Sequence, residues 1–543
     1  MNAPAKQGKG PHGPLVRFND SRDEILSIVE SRVLDSFLSR AHMGEEYSLE
    51  YVLNDVAYAE IRRFENATSR KGKRSLARWR DLASRLGRMK PDRRRHEVEK
   101  LVRFYSRDIV GNFNPNVYRF ANGVIPRALS FLLAPVSGIR EGLEALGGLE
   151  SQLQVEGHVE LAQKACERGT VIFAPTHSSN LDSIVIGFGL SRSGLPPVTY
   201  GAGKNLFSNP LISYFMYNLG AYRVDRRLRF ALYKEVLKEY STVLLEKGFH
   251  SLFFPGGTRS RSNMIESRLK LGLLGTGIAA YRNRLLRGEE GGNYYVIPVT
   301  INYRLVLEAE TLIEDYLAET GRSRYIIEDD EFSQLGRIVE FARKLLVHDS
   351  AVTIRMGRPL DLLGHETDDN GNSVDRAGRA VDLRSFFLDA SGEPAADPQR
   401  DSVYTQQLGA SLARSFRRET EFLGSPLVCR AVFDALVKRT GIQDVYRLLR
   451  VSSSQASVTT SEVCARIETL CSRIRKNPEL GRLSSAFETS TAEEMLSTAI
   501  SVLGTYHSKP VLVESGTTIR VGYPKLLLYY KNRTSHILPE PGE

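Results

Sequence analysis

Apolar and polar positions divide the chain into three stretches of different rhythm. From about Ser21 to Leu149, segments such as SRDEILSIVESRVLDSFLSRA place apolar residues three and four apart behind an acidic start, the period of amphipathic helices. From about Val155 the rhythm changes to short apolar runs alternating with helical segments, an α/β signature. Val171–Ala174, the run ending at Tyr200, SLFFPGGTRSRS, YYVIPVTINY and AVTIRMGRPLD all read as buried strands. After Gly364 the chain is polar and rich in turn residues through about Arg400. From Val403 it is helical again, with LARSFRRETEFL and VCRAVFDALVKRT as amphipathic pieces. The predicted organisation is a flexible lead over 1–20, a helical region over 21–150, an α/β domain over 151–362, a polar linker over 363–400 and a helical region over 401–543.

Composition changes this picture little. A length of 543 residues, 41% hydrophobic and 25% charged, is that of a globular protein with more than one core. No apolar stretch follows Met1, so no secretory signal is expected. The four cysteines are too scattered for a disulfide framework or a metal site, and a reducing cytoplasm fits them. No run qualifies as membrane-spanning. The longest uncharged one, NLFSNPLISYFMYNLGAY from Asn205 to Tyr222, is expected at a bilayer surface, along an apolar groove or in ordinary packing.

Charge changes it more. Between Arg70 and Arg95 twelve Lys and Arg stand against Asp81 and Asp92, so this block alone carries as much net positive charge as the whole chain, +10. Leu76, Trp79, Ala83, Leu86 and Met89 recur there at helical spacing. A basic amphipathic helix bearing the single Trp suits an anionic membrane surface; a helix packed on its domain with a solvated basic face fits the pattern equally. No nucleic-acid recognition motif accompanies the charge, so nucleic acid is not an expected partner.

Candidate chemistry centres on TVIFAPTHSSNLDSIVIGFG. Pro175 ends a strand, a helix begins near Leu181, and His177 and Asp182 lie between and at the start of these elements. An Asp in the first helical turn can bond one imidazole nitrogen and leave the other free as a general base. The amides of Ser179 and Asn180 are candidate oxyanion donors. Downstream, the Gly256-Gly257-Thr258-Arg259-Ser260-Arg261 turn follows a buried strand. Glycines there let backbone approach a ligand, and arginines beside hydroxyls make a phosphate or carboxylate site.

Four segments in order resemble the motifs of the glycerolipid acyltransferase superfamily: His177-Ser-Ser-Asn-Leu-Asp182, Gly220-Ala-Tyr-Arg-Val-Asp-Arg226, Phe254-Pro-Gly-Gly-Thr-Arg-Ser260 and Val296-Ile-Pro-Val299. The tail LLYYKNRTSH, Leu527–His536, resembles the C-terminus of glycerol-3-phosphate and dihydroxyacetone-phosphate acyltransferases. The resemblance implies an α/β acyltransferase domain, a mixed sheet with flanking helices, framed by mainly helical N- and C-terminal regions. It implies His177 and Asp182 as the catalytic pair, and Arg226, Arg259, Arg261 and Lys204 as binders of the acceptor phosphate. Gly257, Thr258 and Ser260 supply the substrate loop. The implied acceptor is glycerol 3-phosphate, with dihydroxyacetone phosphate and 1-acylglycerol 3-phosphate as alternatives. The implied donor is acyl-CoA or acyl carrier protein, with no metal and no cofactor, at the cytoplasmic side of the cell membrane as a peripheral protein. One position departs: Gly256 stands where the third motif has glutamate, which makes a silent lipid-binding relative the rival reading. Lys270, of the opposite charge, is no substitute.

Other motifs lead nowhere. The run Glu366, Asp368, Asn370, Gly371 imitates a calcium loop, but Ala377 stands where its last ligand belongs, so Asp-Asn-Gly and Arg-Ala-Gly read as turns. Gly272, Gly275 and Gly277 read as close helix packing. No internal repeat is evident.

Overall fold

The computed structural model describes residues 12–123, 153–320, 352–451 and 456–538, except positions 42, 45–47, 209, 291 and 505. The predicted boundary near 150 lies outside the described residues.

A seven-stranded mixed sheet forms the centre. Its strands are β1 (Leu153–Gly157), β2 (Gly169–Pro175), β3 (Thr199–Gly203), β4 (Ala221–Val224), β5 (Ser251–Leu252), β6 (Asn293–Tyr303) and β7 (Val352–Met356), in the order β1-β7-β6-β2-β5-β3-β4. From β6 to β4 all neighbours are parallel; β7 runs against β6, and β1 pairs parallel with β7. β2 is buried along almost its whole length, as a strand covered on both faces must be. The parallel strands bring five chain ends to one edge of the sheet, where α/β folds hold their ligands.

The N-terminal helices α1 (Phe18–Arg40), α2 (Leu49–Phe64), α3 (Arg70–Arg85) and α4 (Pro91–Ile109) share a core with the helix after β4, Ala231–Glu246. Arg32 fastens them to that helix by ion pairs with Glu239 (2.9 Å) and Glu246 (2.8 Å). On the other side Ser425–Thr440, Thr460–Lys476, Ala492–Leu503 and Pro524–Asn532 pack into one core with strands β1, β6 and β7. Gly277 lies within the helix Leu271–Leu286, where a Cβ would stand 2.9 Å from Ile172 and 3.0 Å from Leu362, the close packing expected of it.

Three expectations need correction. The lead predicted as flexible over 1–20 is helical from Pro14, because Leu15 and Phe18 are buried in the N-terminal core. The basic block is not one helix. Pro91 lacks an N–H and pushes Lys90 into extended backbone (ψ 153°), so α3 ends, a short 3-10 turn follows and α4 begins anew. Trp79, Leu82 and Leu86 are buried against the other N-terminal helices, whereas every basic residue from Arg70 to Arg95 except Arg94 is exposed. No Trp remains to enter a bilayer; a solvated basic face does.

The stretch 363–400, read as polar turns between extended pieces, does contain a repeat. Asp361, Asp368, Asp375 and Asp389 each open a turn closed three residues on by a glycine at positive φ (+86°, +79°, +77° and +82°). Each carboxylate accepts the backbone N–H groups two and four residues ahead. Only glycine takes that conformation without cost, and the Asp side chain completes the turn. The first three turns recur every seven residues, too short a period to register as a domain-scale repeat. Among the described residues no helix is long and apolar enough to cross a membrane.

Candidate active site

His177 follows the end of β2, and Asp182 opens the helix Asp182–Arg192. The imidazole Nδ1 and Asp182 Oδ2 lie 2.8 Å apart. Asp182 is fully buried, so its charge has to be met by donors. Oδ2 also accepts the N–H groups of Ser178 (2.6 Å) and Ser179 (2.9 Å), and Oδ1 accepts the hydroxyl of Tyr303 at the end of β6 (2.6 Å). A carboxylate so held fixes the ring through Nδ1 and leaves Nε2 as the basic atom. The ring stacks on Phe254 of the third motif, centroids 4.3 Å apart at 27°.

The amides expected to form an oxyanion site are already used. Ser179 N–H goes to Asp182, and Asn180 N–H goes to Glu308 Oε1 at 2.7 Å. Glu308 is buried, and burial raises its pKa. It binds the Ser179 hydroxyl (2.8 Å) and Arg259 (3.3 Å) as well, tying the loop after β2 to the third motif.

The four predicted cations fall into two sets. Arg226 projects beyond β4 between Asp225 and Arg227, which bind each other (2.9 Å) while Asp225 also meets Arg63 (3.4 Å). Arg226 is exposed and, among the described residues, has no hydrogen-bond or ion-pair partner; partial desolvation and the nearby Arg259 guanidinium lower its pKa. Two guanidinium groups that repel each other across a loop cluster form a place for an anion. Lys204, by contrast, pairs with Asp108 of α4 (2.5 Å), and Arg261 pairs with Glu319 and Asp315 of the helix Ala309–Glu319. These two are engaged by carboxylates of the protein itself, as Arg259 is by Glu308, which leaves Arg226 as the member of the four with no partner among the described residues.

In the third motif Gly257 has φ +76° and packs against the Lys270 stem, with a Cβ there falling 2.8 Å from Cδ. Thr258 is exposed, and Ser260 N–H donates to the His177 carbonyl (2.8 Å), which binds the motif to the histidine loop. The C-terminal segment braces the same turn from behind. Asn532 Nδ2 donates to the Ser262 carbonyl (3.0 Å), Asn263 Nδ2 donates to the Tyr529 carbonyl (3.2 Å), and buried Arg533 donates to Asn302 (3.2 Å). Tyr303, Glu308, Asn532 and Arg533 were not singled out from sequence. Their only signal was position: a strand end, the loop five residues beyond it, and a tail whose resemblance was seen without its contacts.

A histidine base held by a buried carboxylate at the ends of parallel strands can take a proton from a bound hydroxyl, and the Arg226 and Arg259 guanidinium groups offer charge to an anion. Residues 152–302 match the family model described as Acyltransferase. The chain is similar to a glycerol-3-phosphate acyltransferase of Pseudomonas paraeruginosa, 28% identical over 207 residues, which are 38% of this chain and 23% of that protein. A glycerol-3-phosphate acyltransferase of Pseudomonas fluorescens is 29% identical over the same shares. The match thus spans less than a quarter of the length of these relatives. A solved 1-acyl-sn-glycerophosphate acyltransferase, PlsC of Thermotoga maritima, is 14% identical, covering 48% of this chain and 85% of that one; at a TM-score of 0.23 the likeness carries no argument.

Proposed function

We propose that the protein is a glycerol-3-phosphate 1-O-acyltransferase of phospholipid biosynthesis, taking its acyl chain from acyl-CoA or acyl carrier protein. The observation that supports this most directly is the His177–Asp182 pair, together with Arg226, which has no partner among the described residues. Arg226 and Arg259 bind the acceptor phosphate, and His177 Nε2 takes the proton of the acceptor hydroxyl as its oxygen attacks the thioester carbonyl. The tetrahedral adduct collapses, the C–S bond breaks, and the imidazolium returns its proton to the thiolate. General base help of this kind is worth about 10²–10⁴-fold in rate. The basic face of α3 and α4 holds the protein electrostatically at an anionic membrane on its cytoplasmic side, near an acyl product that partitions into lipid.

The test is thiol release from palmitoyl-CoA by the wild type and His177→Ala, offered glycerol 3-phosphate, dihydroxyacetone phosphate or lysophosphatidate in turn, then repeated with acyl carrier protein as donor. Release that depends on glycerol 3-phosphate and disappears in the variant is the expected result. Release with another acceptor alone transfers the assignment to that acceptor. No acceptor-dependent release with either donor rejects acyl transfer and favours a lipid-binding role.

A further inference from the structure

Gly256 has no conformational reason to be glycine: unlike its neighbour Gly257, it does not have a positive φ. Its reason is spatial. A Cβ at position 256 would lie 2.6 Å from Glu266 Oε1, 2.7 Å from its Cδ and 3.0 Å from Oε2. Within a glutamate side chain the carboxyl carbon stands about 2.5 Å from Cβ, two C–C bonds at a tetrahedral angle. The carboxyl of Glu266 therefore fills volume that the carboxyl of a glutamate at 256 would reach, and the two cannot coexist there.

Glu266 is also placed to act on the site. Oε1 accepts the backbone N–H of His177 at 2.9 Å. That bond, with Ser260 N–H on the His177 carbonyl, clamps both peptide groups of the base while Asp182 holds its ring. Oε2 is buried and, among the described residues, has no hydrogen-bond partner. The Arg533 guanidinium favours the charged form of this carboxyl, and Asp182 opposes it.

We propose that Glu266 supplies the positioning carboxyl group of this site, brought in from ten residues downstream into the space that Gly256 leaves open, where its Oε1 holds the backbone N–H of His177. Gly256 is then the partner of a relocated carboxyl group and no sign of a lost activity. The inference rests on the acyl-transfer reading of His177. It goes beyond that reading in assigning a role to a residue outside the recognised motifs.

A carboxylate swap in the full chain tests it. The proteins are wild type, Glu266→Ala, Glu266→Gln, Gly256→Glu and the double variant Gly256→Glu/Glu266→Ala, each measured for kcat, KM and Tm. Glu266→Ala is expected to lower kcat at least tenfold with KM for the acyl donor changed less than threefold. Glu266→Gln, which keeps an acceptor for the His177 N–H, is expected to retain most of kcat. Gly256→Glu alone crowds two carboxyls into one volume and loses as much as Glu266→Ala. The double variant is expected to recover at least tenfold over either single change. Glu266→Ala within twofold of wild type overturns the proposal, and so does a double variant no better than the worse single. If Glu266→Ala does not fold, recovery of folded protein in the double variant supports the shared carboxyl position and its absence overturns it. If the wild type has no His177-dependent release with any acceptor, the acyl-transfer reading fails by itself. The Tm lost by each single variant and restored by the swap then still decides the structural relation.

Discussion

The hydroxyl of Tyr303 donates to Oδ1 of Asp182 at 2.6 Å, the oxygen that His177 does not use. The carboxylate is thereby met on both oxygens, and the last residue of β6 is bound to the first residue of the helix that follows β2. Burial and the adjacent carboxylate push the Tyr303 hydroxyl well above its ordinary pKa, so it remains a donor throughout the working range. Removing it by Tyr303→Phe leaves a buried charge short of one donor. We expect a loss of about 1.5–3 kcal/mol in urea unfolding and a fall in kcat of about tenfold. Unaltered stability would show that Oδ1 needs no partner.

Asp182→Asn tests the orientation of the base separately from its presence. The amide has the shape of the carboxylate but neither its charge nor its capacity to accept from three donors at one oxygen. A fall in kcat of roughly 10³–10⁴-fold is expected, the scale known where an Asn presents a histidine base in the wrong tautomer. A fall smaller than tenfold would remove Asp182 from the mechanism.

Arg226 and Arg259 should separate kinetically. Arg226 is free of protein partners among the described residues, so Arg226→Ala is expected to raise KM for the phosphate-bearing acceptor about tenfold or more and leave Tm nearly unchanged. Arg259 also neutralises buried Glu308. Arg259→Ala should raise KM and lower Tm together, because an uncompensated buried carboxylate remains. Equal effects of both variants on Tm would contradict this division.

Glu266 gives stability a pH dependence of known sign. Burial pushes its carboxyl from the ordinary 4.5 up to about 8. The folded protein therefore keeps a proton that the unfolded chain releases above about pH 4.5. Stability from this group is fully present below that pH and is lost as pH climbs through about 8, by at most about 1.4 kcal/mol per pH unit. Urea unfolding at pH 5, 6.5 and 8 should show the wild type losing ground to Glu266→Gln as pH rises. A constant difference between the two would refute the raised carboxyl.

The basic face and the buried stripe of α3 make opposite predictions. Trp79→Ala is expected to destabilise the protein by about 3–5 kcal/mol, as other large core truncations do. Replacing exposed Arg70, Arg74, Arg80, Arg88, Arg93 and Arg95 with Gln should leave unfolding within about 0.5 kcal/mol for each change. Sedimentation of that variant with anionic liposomes should weaken strongly, and wild-type binding should fall as salt rises. Unchanged sedimentation would reject the membrane role of this face.

Local pattern by itself determined the alternation of helices and strands from Val155 to Tyr303, the strand at Val352–Met356, the strand end at Pro175 and a helix beginning near Leu181 with Asp182 in its first turn. Apolar runs, prolines and short-range polar residues act over a few positions, and these features are of that range. The same locality made His177 and Asp182 legible as a pair, since five residues across a strand-to-helix loop suffice to bring them together. What tertiary structure alone decided lies at long range. The antiparallel placing of β7 and β1, Tyr303 on Asp182, Glu308 between Asn180 and Arg259, and the tail behind Ser262 join residues separated by between 49 and 270 positions. Leu82 took a place in the buried stripe of α3 because helix packing, and not spacing alone, sets which face is covered. Lys204 and Arg261 look in sequence like two more cations for a phosphate; packing delivered carboxylates from α4 and from Ala309–Glu319 to them first. Gly256 looks like a missing glutamate, and only the folded chain shows that the carboxyl of Glu266 occupies its space.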